Sequence, residues 1–391
     1  MARMPDSVVF VPLRANHAGR GLLVTTFALL AIGVIMVNSA MASVTKPGVW
    51  YGRADFRHTL FAGLACAVLL LAWQVDYRFL TRITKRRMSI AAIFFFATCV
   101  LGWMVFVPGI GHERGGFYRW LQLGPERFSI GFQPSELIKI ALVVFLAAWL
   151  SVKDRVEIRS FKSTFLPALG IIGLAIAPVI TEDFSTAAVI VMIGVVTMLL
   201  AGVPIRYFLA LAPLAIGALT LFVLQSPHRL ARITAMGQLG SIDNATAYQP
   251  RQSLLAILSG GWTGQGLGAG TLKLGYMPEK STDFIFSMLC EEWGVVGALV
   301  LLGLLVLWIR HVWQISLDAS DRFGQVLTAG LGFLIAAQAL LHVGIDTVIL
   351  PTTGMSLPFV SAGGTSLILM AGAAALIISV SARRAIKDPL A

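Results

Sequence analysis

The chain has 391 residues, of which 57% are hydrophobic and only 13% charged, with a mean hydropathy of +0.83. Soluble domains carry about 25% charged residues, so this composition excludes an ordinary soluble protein and points to a membrane-spanning one. The formal charge of +11 is accounted for by basic loops on one membrane side and by anionic lipid, so it is not read as nucleic-acid binding.

The first 20 residues carry Arg3, Arg14 and Arg20 but no compact apolar core, and they predict a retained cytoplasmic segment rather than a cleaved signal peptide. Apolar runs long enough to cross a bilayer then predict ten spans, near 22–43, 59–75, 89–107, 134–151, 163–181, 185–202, 206–225, 284–309, 325–346 and 364–382. The expected fold is an all-α polytopic membrane protein. Arg78, Arg82, Lys85, Arg86 and Arg87 follow the second span, and Lys153, Arg155, Arg159 and Lys162 the fourth. Arg206 follows the sixth, Arg310 and Arg322 bracket the loop after the eighth, and Arg383, Arg384 and Lys387 follow the tenth. An even span count puts all of these beside the N-terminus, so both termini are expected to be cytoplasmic. The expected layout is a cytoplasmic segment at 1–21, a transmembrane domain at 22–382 and a cytoplasmic tail at 383–391. A large outward loop, 226–283, joins the seventh and eighth spans.

A first outward loop, 108–133, carries Arg119 and Trp120. Behind it, Gln133-Pro134-Ser135-Glu136 opens the fourth span, with Pro134 suited to a first helical turn and Gln133 or Ser135 able to cap it. Glu136 and Lys139 share a helix face. They read either as an intrahelical ion pair at the helix start or as a charged pair turned into a cavity. Asp183 reads either as a cap for the sixth span or as an acid lining the same cavity.

The stretch from Ser259 to Ser287 holds seven glycines together with Lys273, Lys280, Glu279 and Asp283. Unpaired backbone is not tolerated in hydrocarbon, so this sequence belongs at an aqueous face or a protein-lined cavity. Its glycines either allow close backbone packing or let N–H groups approach a phosphate. Asp283 either caps the eighth helix or does chemistry. Glu291 and Glu292 lie deeper, where a carboxylate is expensive and needs a partner such as Lys139. His342 and Asp346, four apart, read as a structural pair. Residues 346–364 are too rich in Pro and Gly for a helix and are expected to dip back into the protein as a broken segment. Cys66, Cys99 and Cys290 lie in spans without metal or redox spacing, and no P-loop, dinucleotide fingerprint or zinc motif is present.

Several long motifs occur in order: Arg119-Trp120 through Leu123-Gly124, FQPSELIK at 132–139, EDFSTA at 182–187, YQPRQSLLAILSGGWTGQGLGAG at 248–270, YMPEKSTDFIFSMLCEEWG at 276–294 and LPTTGMSLPFVSAGGTS at 350–366. Through them the chain resembles, from about residue 20 to 385, the SEDS proteins (shape, elongation, division and sporulation). The resemblance implies a ten-span helical fold and an inverting peptidoglycan glycosyltransferase of the cytoplasmic membrane. Its substrate would be lipid II, a disaccharide-pentapeptide on undecaprenyl pyrophosphate. Its partners would be a class B penicillin-binding protein and other division membrane proteins. EDF, LGAGTLKLGYMPE and LPTTGMSLPF are more similar to the FtsW type, which acts at the septum, than to the RodA type.

The resemblance also implies Asp283 as the catalytic base, with Lys139, Glu136, Arg119, Asp183, Lys273, Glu279 and Ser361 as substrate-binding residues. A departing pyrophosphate needs positive charge, for which Lys139, Arg119 and Lys273 are the candidates. It also binds Mg²⁺ or Mn²⁺ readily, so either ion is a candidate cofactor, although the sequence shows no dedicated metal cage. The chain departs from the family pattern at Glu182, Ser185 and Ala362, where Pro, Gly and Tyr are usual. An Asn-containing stretch is replaced around His342 and Asp346. A lipid II flippase or a noncatalytic scaffold for division proteins would share the spans and the polar cavity but would need no base.

Overall fold

The computed structural model describes residues 8–41, 54–84, 88–114, 116–123, 130–237, 245–271 and 282–385. In chain order the α-helices are α1 His17–Met41, α2 Ala54–Ala72, α3 Ile90–Trp103, α4 Pro134–Ser151, α5 Arg155–Ile158, α6 Leu166–Ile176 and α7 Phe184–Leu200. They continue with α8 Ile205–Leu224, α9 Pro227–Gly237, α10 Tyr248–Gly260, α11 Ile285–Leu317, α12 Arg322–Asp346 and α13 Thr365–Ser381. Six of these are long and apolar enough to cross a membrane, and the regions of α3, α6, α7 and α13 are shorter apolar helices. Together they match the ten expected spans.

The centre of the bundle is α4, which packs against α3, α7 and α12, while α12 also packs on α7, α11 and α13. Pro134 opens α4 at a position whose N–H has no helical partner in any case, and Ser89 accepts from Ala92 N to start α3. By contrast α8 has no buried residue. An apolar helix that buries nothing in its own chain is at home only in lipid or against another molecule.

Two small sheets accompany the expected helical bundle. Loop 108–133 contains an antiparallel sheet of β2 Gly111–Arg114, β3 Phe117–Leu123 and β4 Ile130–Phe132, and β1 Val8–Phe10 pairs with β5 Arg383–Ala385. FYRWLQL in β3 is rich in aromatic residues that favour strands, and pairing satisfies backbone groups that no helix takes up. The expected loop 226–283 also carries α9 and α10. At 13 residues α10 is too short to span, and it packs against α11 instead. The eighth span extends further than expected, to Leu317, and is interrupted at Gly294 with φ +65°.

The segments that follow the second, fourth, sixth, eighth and tenth spans meet at one face. Asp321 pairs with Arg78, Arg322 donates to the carbonyls of Lys153 and Ala201, and Ser320 donates to Arg383 O. β1 pairs there with β5, so both described ends of the chain lie on this face. Residues 351–364 have no helix, and Leu357, Phe359, Val360 and Ser361 within them are buried. This is the expected broken segment, enclosed by protein. It presses so closely on α1 that a Cβ on Gly33 would lie 2.7 Å from Val360 O.

Candidate active site

Asp283 is half-buried just ahead of α11. The residue before it is clasped by the broken segment: Ser361 Oγ donates to Thr282 O at 2.7 Å and accepts from Leu357 N at 2.8 Å. Asp283 Oδ2 lies over Gly354, 3.5 Å from where a Cβ there would stand. The N-cap position of α11 falls on Phe284, whose side chain makes no cap bond. The oxygen that serves this helix end comes from α12, where Asp346 Oδ2 accepts from Ser287 N at 2.9 Å and Ser287 Oγ at 3.0 Å. Ser253 of α10 donates to Asp346 O at 2.6 Å, and its hydroxyl oxygen lies against that of Ser287. The capping role that sequence offered for Asp283 is thus filled by Asp346.

A second cluster lies deeper. Lys139 Nζ is 2.7 Å from Glu136 Oε1 and donates to Gln338 Oε1 at 2.9 Å. Ser366 Oγ donates to Glu136 Oε2 at 2.9 Å, and Gln338 Nε2 donates to Ser356 O at 3.0 Å. The intrahelical ion pair exists, and it is also turned inward, because both residues are buried. Neither expected cap of α4 is seen: Gln133 makes no side-chain cap bond, and Ser135 Oγ has no partner among the described residues. The two clusters share one wall, the segment 351–366, which touches Asp283, Thr282, Gln338 and Glu136. Sequence reasoning missed Gln338, Ser366, Ser287 and Ser253. Single uncharged polar residues inside apolar helices leave no periodic signal.

Arg119 and Asp183 form a third, more exposed group. Arg119 Nη1 is 3.4 Å from Asp183 Oδ2, and its Nε donates to Glu182 O at 2.8 Å. The guanidinium lies 4.6 Å over the Phe117 ring. Tyr118 N donates to Glu182 Oε2, which ties β3 to the α6–α7 turn. Asp183 Oδ1 accepts from Thr186 N at 3.0 Å as the N-cap of α7, so both its readings apply. A small cleft opens between Arg119, Ser135, Pro178 and Asp183. Lys273 and Glu279 lie outside the described residues.

The described glycines serve packing. Gln265 N and Gly266 N donate to Glu291 O and Glu292 O, while Val295 N and Val296 N donate to Gly261 O and Trp262 O. The loop therefore splices into the break at Gly294, and a Cβ on Gly264 would stand 2.1 Å from Glu292 O. Those N–H groups are occupied and form no phosphate nest. Glu291 accepts from the N–H and hydroxyl of Thr271, and Glu292 from Ser39 Oγ. Neither meets Lys139, the partner expected for them, because that ammonium is held by Glu136 and Gln338. Among the described residues no three His, Cys, Asp or Glu side chains converge, so they offer Mg²⁺ or Mn²⁺ no cage.

Residues 20–386 match the FtsW/RodA/SpoVE family, described as cell cycle proteins. The chain is 36% identical over 371 residues to stage V sporulation protein E of Bacillus subtilis (strain 168), covering 92% of this chain and 96% of that one. It is 34% identical over 364 residues to the probable peptidoglycan glycosyltransferase FtsW of Geobacter sp. (strain M18), with the same coverage of 92% and 96%. Among solved structures, it is similar to the rod shape determining protein RodA of Thermus thermophilus, at 25% identity and a TM-score of 0.64, covering 92% of this chain and 95% of that one. It shares its fold with a chain from a peptidoglycan synthase complex, at 24% identity and a TM-score of 0.75, covering 93% and 97%. With the motifs, the fold and the length of these matches in agreement, this multi-pass membrane protein belongs to the FtsW/RodA/SpoVE family.

Proposed function

We propose that this protein is a peptidoglycan glycosyltransferase that polymerises lipid II at the outer face of the cytoplasmic membrane, with Asp283 as its general base. In this reaction the 4-hydroxyl of one lipid II GlcNAc attacks the anomeric carbon of a lipid-linked MurNAc. The hydroxyl proton passes to Asp283, the new glycosidic bond forms, and the bond to pyrophosphate breaks with its electron pair leaving on undecaprenyl pyrophosphate. An α-linked donor giving a β-linked product inverts the centre, which requires one base and no covalent intermediate.

The observation that carries this reading is the setting of Asp283. It is half-exposed at a helix end that Asp346 already caps, and it is held between a clasped neighbour and the wall of a buried polar segment. A carboxylate kept accessible between two fixed walls is placed to accept a proton. Arg119 is the more exposed of the described cations offered to the pyrophosphate. Lys139, fully enclosed, contributes its field and orders Glu136. Glu136, Asp183 and Ser361 shape the site around the sugars. The remaining candidates, Lys273 and Glu279, belong to the same reading.

The face that gathers Arg78, Lys153, Arg322 and Arg383 is assigned to the cytoplasm by its excess of basic residues. The FtsW-named relatives and the EDF motif favour a role at the division septum. A class B penicillin-binding protein and other division membrane proteins are the partners that reading requires. The test is glycan-strand formation from labelled lipid II by purified protein with a cognate penicillin-binding protein. Asp283→Asn is expected to lower the rate by about 10²-fold or more while leaving folding and partner binding intact. Activity within a few-fold of wild type would remove the base, and lipid II transport without polymerisation by the wild type would make the protein a flippase.

A further inference from the structure

Asp283 belongs to no helix, and its geometry depends on its two walls. One wall is the first turn of α11, and the other is Gly354–Met355. Both are fastened to the same helix, α12, by residues one turn apart. Asp346 holds the first wall through Ser287 N and Ser287 Oγ, at 2.9 and 3.0 Å. His342 holds the second, its Nδ1 lying 2.7 Å from Met355 O. Both side chains are 0% exposed.

The chemistry of this pair follows from the bonds. A carbonyl only accepts, so Nδ1 of His342 carries its hydrogen. Nε2 then faces Asp346 Oδ2 at 3.6 Å and makes no hydrogen bond among the described residues. Two bare lone pairs opposed in a buried site would repel, so one proton resides on the pair, on Nε2 or on the carboxyl. Asp283 lies within electrostatic reach of the same imidazole. A helix end alone would be capped as well by a neutral oxygen. An ionisable pair is costly in such a place.

We propose that His342 and Asp346 are positioning residues for Asp283. Through their bonds to Met355 O and to Ser287 they lock α12 to both walls of the base and fix where its carboxylate meets the acceptor hydroxyl. This rests on the reading of Asp283 as base. The test compares steady-state polymerisation of lipid II by wild type, Asp283→Asn, His342→Gln, Asp346→Asn and His342→Asn. His342→Gln keeps bulk but moves the donor away from Met355 O. Asp346→Asn keeps the size but weakens the one oxygen that accepts from both Ser287 N and Ser287 Oγ. Each is expected to lower kcat by about tenfold or more with KM for lipid II unchanged, the signature of lost alignment rather than lost binding. His342→Asn, which keeps a donor where Nδ1 stands, is expected to recover most of kcat. In an Asp283→Asn background His342→Gln should add no further loss, because the two act as one unit.

A kcat per folded molecule within twofold of wild type for both His342→Gln and Asp346→Asn, beside an inactive Asp283→Asn, would overturn the positioning role and leave the base standing. An active Asp283→Asn would instead overturn the base, and this proposal with it. Should both substitutions prevent folding, Ser287→Ala decides: it removes one bond from the same wall, and about a fivefold fall in kcat at constant KM is expected. An unchanged kcat there overturns the proposal.

Discussion

The helix α12 runs between two polar networks that spend their charge differently. At its start, Arg322 donates to the carbonyls of Lys153 and Ala201, and Arg383 donates to those of Ser379 and Gln74. These acceptors sit at or near the ends of helices, where carbonyls lack helical partners. At its far end and along its inner face, ionisable side chains meet mostly other side chains: Lys139 with Glu136 and Gln338, and His342 with Asp346. Arginine on helix-end carbonyls closes loops by satisfying acceptors that no helix takes up. A buried ion pair is weak grounds for stability, since apolar residues of similar size often serve as well. The first network is therefore expected to hold the fold together, and the second to hold the chemistry.

Lys139→Ala should give the largest effect on that comparison. It strands Glu136 as a buried, uncompensated carboxylate, a change that costs about 3–5 kcal/mol. Polymerisation should also fall further than in Glu136→Asp, which keeps the charge. The double substitution Lys139→Met with Glu136→Gln sharpens the contrast: thermal stability should return towards wild type while activity does not. Melting curves and lipid II kinetics on the same preparations read both. Wild-type rates for Lys139→Ala would reduce the pair to a helix-start contact and break the distinction.

Arg322→Ala probes the opposite network. Two charge-assisted hydrogen bonds to carbonyls are lost, each worth about 1.5–3 kcal/mol at most. The guanidinium is partly solvated, which lowers the net cost to about 2 kcal/mol. Melting temperature should drop while kcat per folded molecule stays at the wild-type value. A fall in kcat without a fall in stability would show that the two ends of α12 are coupled, and that the division of labour drawn above is wrong.

Much of the fold is legible in the sequence because its signals are local. Apolar runs give the ten spans, Pro134 marks the start of α4, and the Pro and Gly of 346–364 announce a segment that cannot be helix. The sheet at 111–132 escapes because β2 and β4 are only 4 and 3 residues long, too short for alternation to register. The site is legible in its members but not in its wiring. Ser361 meets Thr282 across 79 positions, Asp346 meets Ser287 across 59, and Ser366 meets Glu136 across 230. Nothing in local spacing distinguishes Asp346 as the oxygen for α11 from Asp283, which stands closer in sequence.

Tyr77 gives the smallest test. Its hydroxyl donates to Asp321 Oδ2 at 2.5 Å, beside the bond from Arg78 Nε to the same oxygen at 3.1 Å. It lies outside the spans, in the turn Tyr77–Thr81. Burial first, and then the Asp321 carboxylate, raise the phenol above its ordinary value, so the folded protein favours the protonated hydroxyl. A group with a raised folded pKa contributes stability that is fully present below its unfolded value, about 10 for tyrosine, and is lost as pH rises towards the folded value. Melting temperature should therefore hold steady to about pH 9 and fall above about pH 10. Tyr77→Phe should lower stability at neutral pH by about 1.5 kcal/mol, the low end for a hydrogen bond to a charged group, and flatten the alkaline slope. Activity per folded molecule should not change. Parallel alkaline slopes for wild type and Tyr77→Phe would mean that this hydroxyl does not report on the network, and that Arg78 and Asp321 hold that face without it.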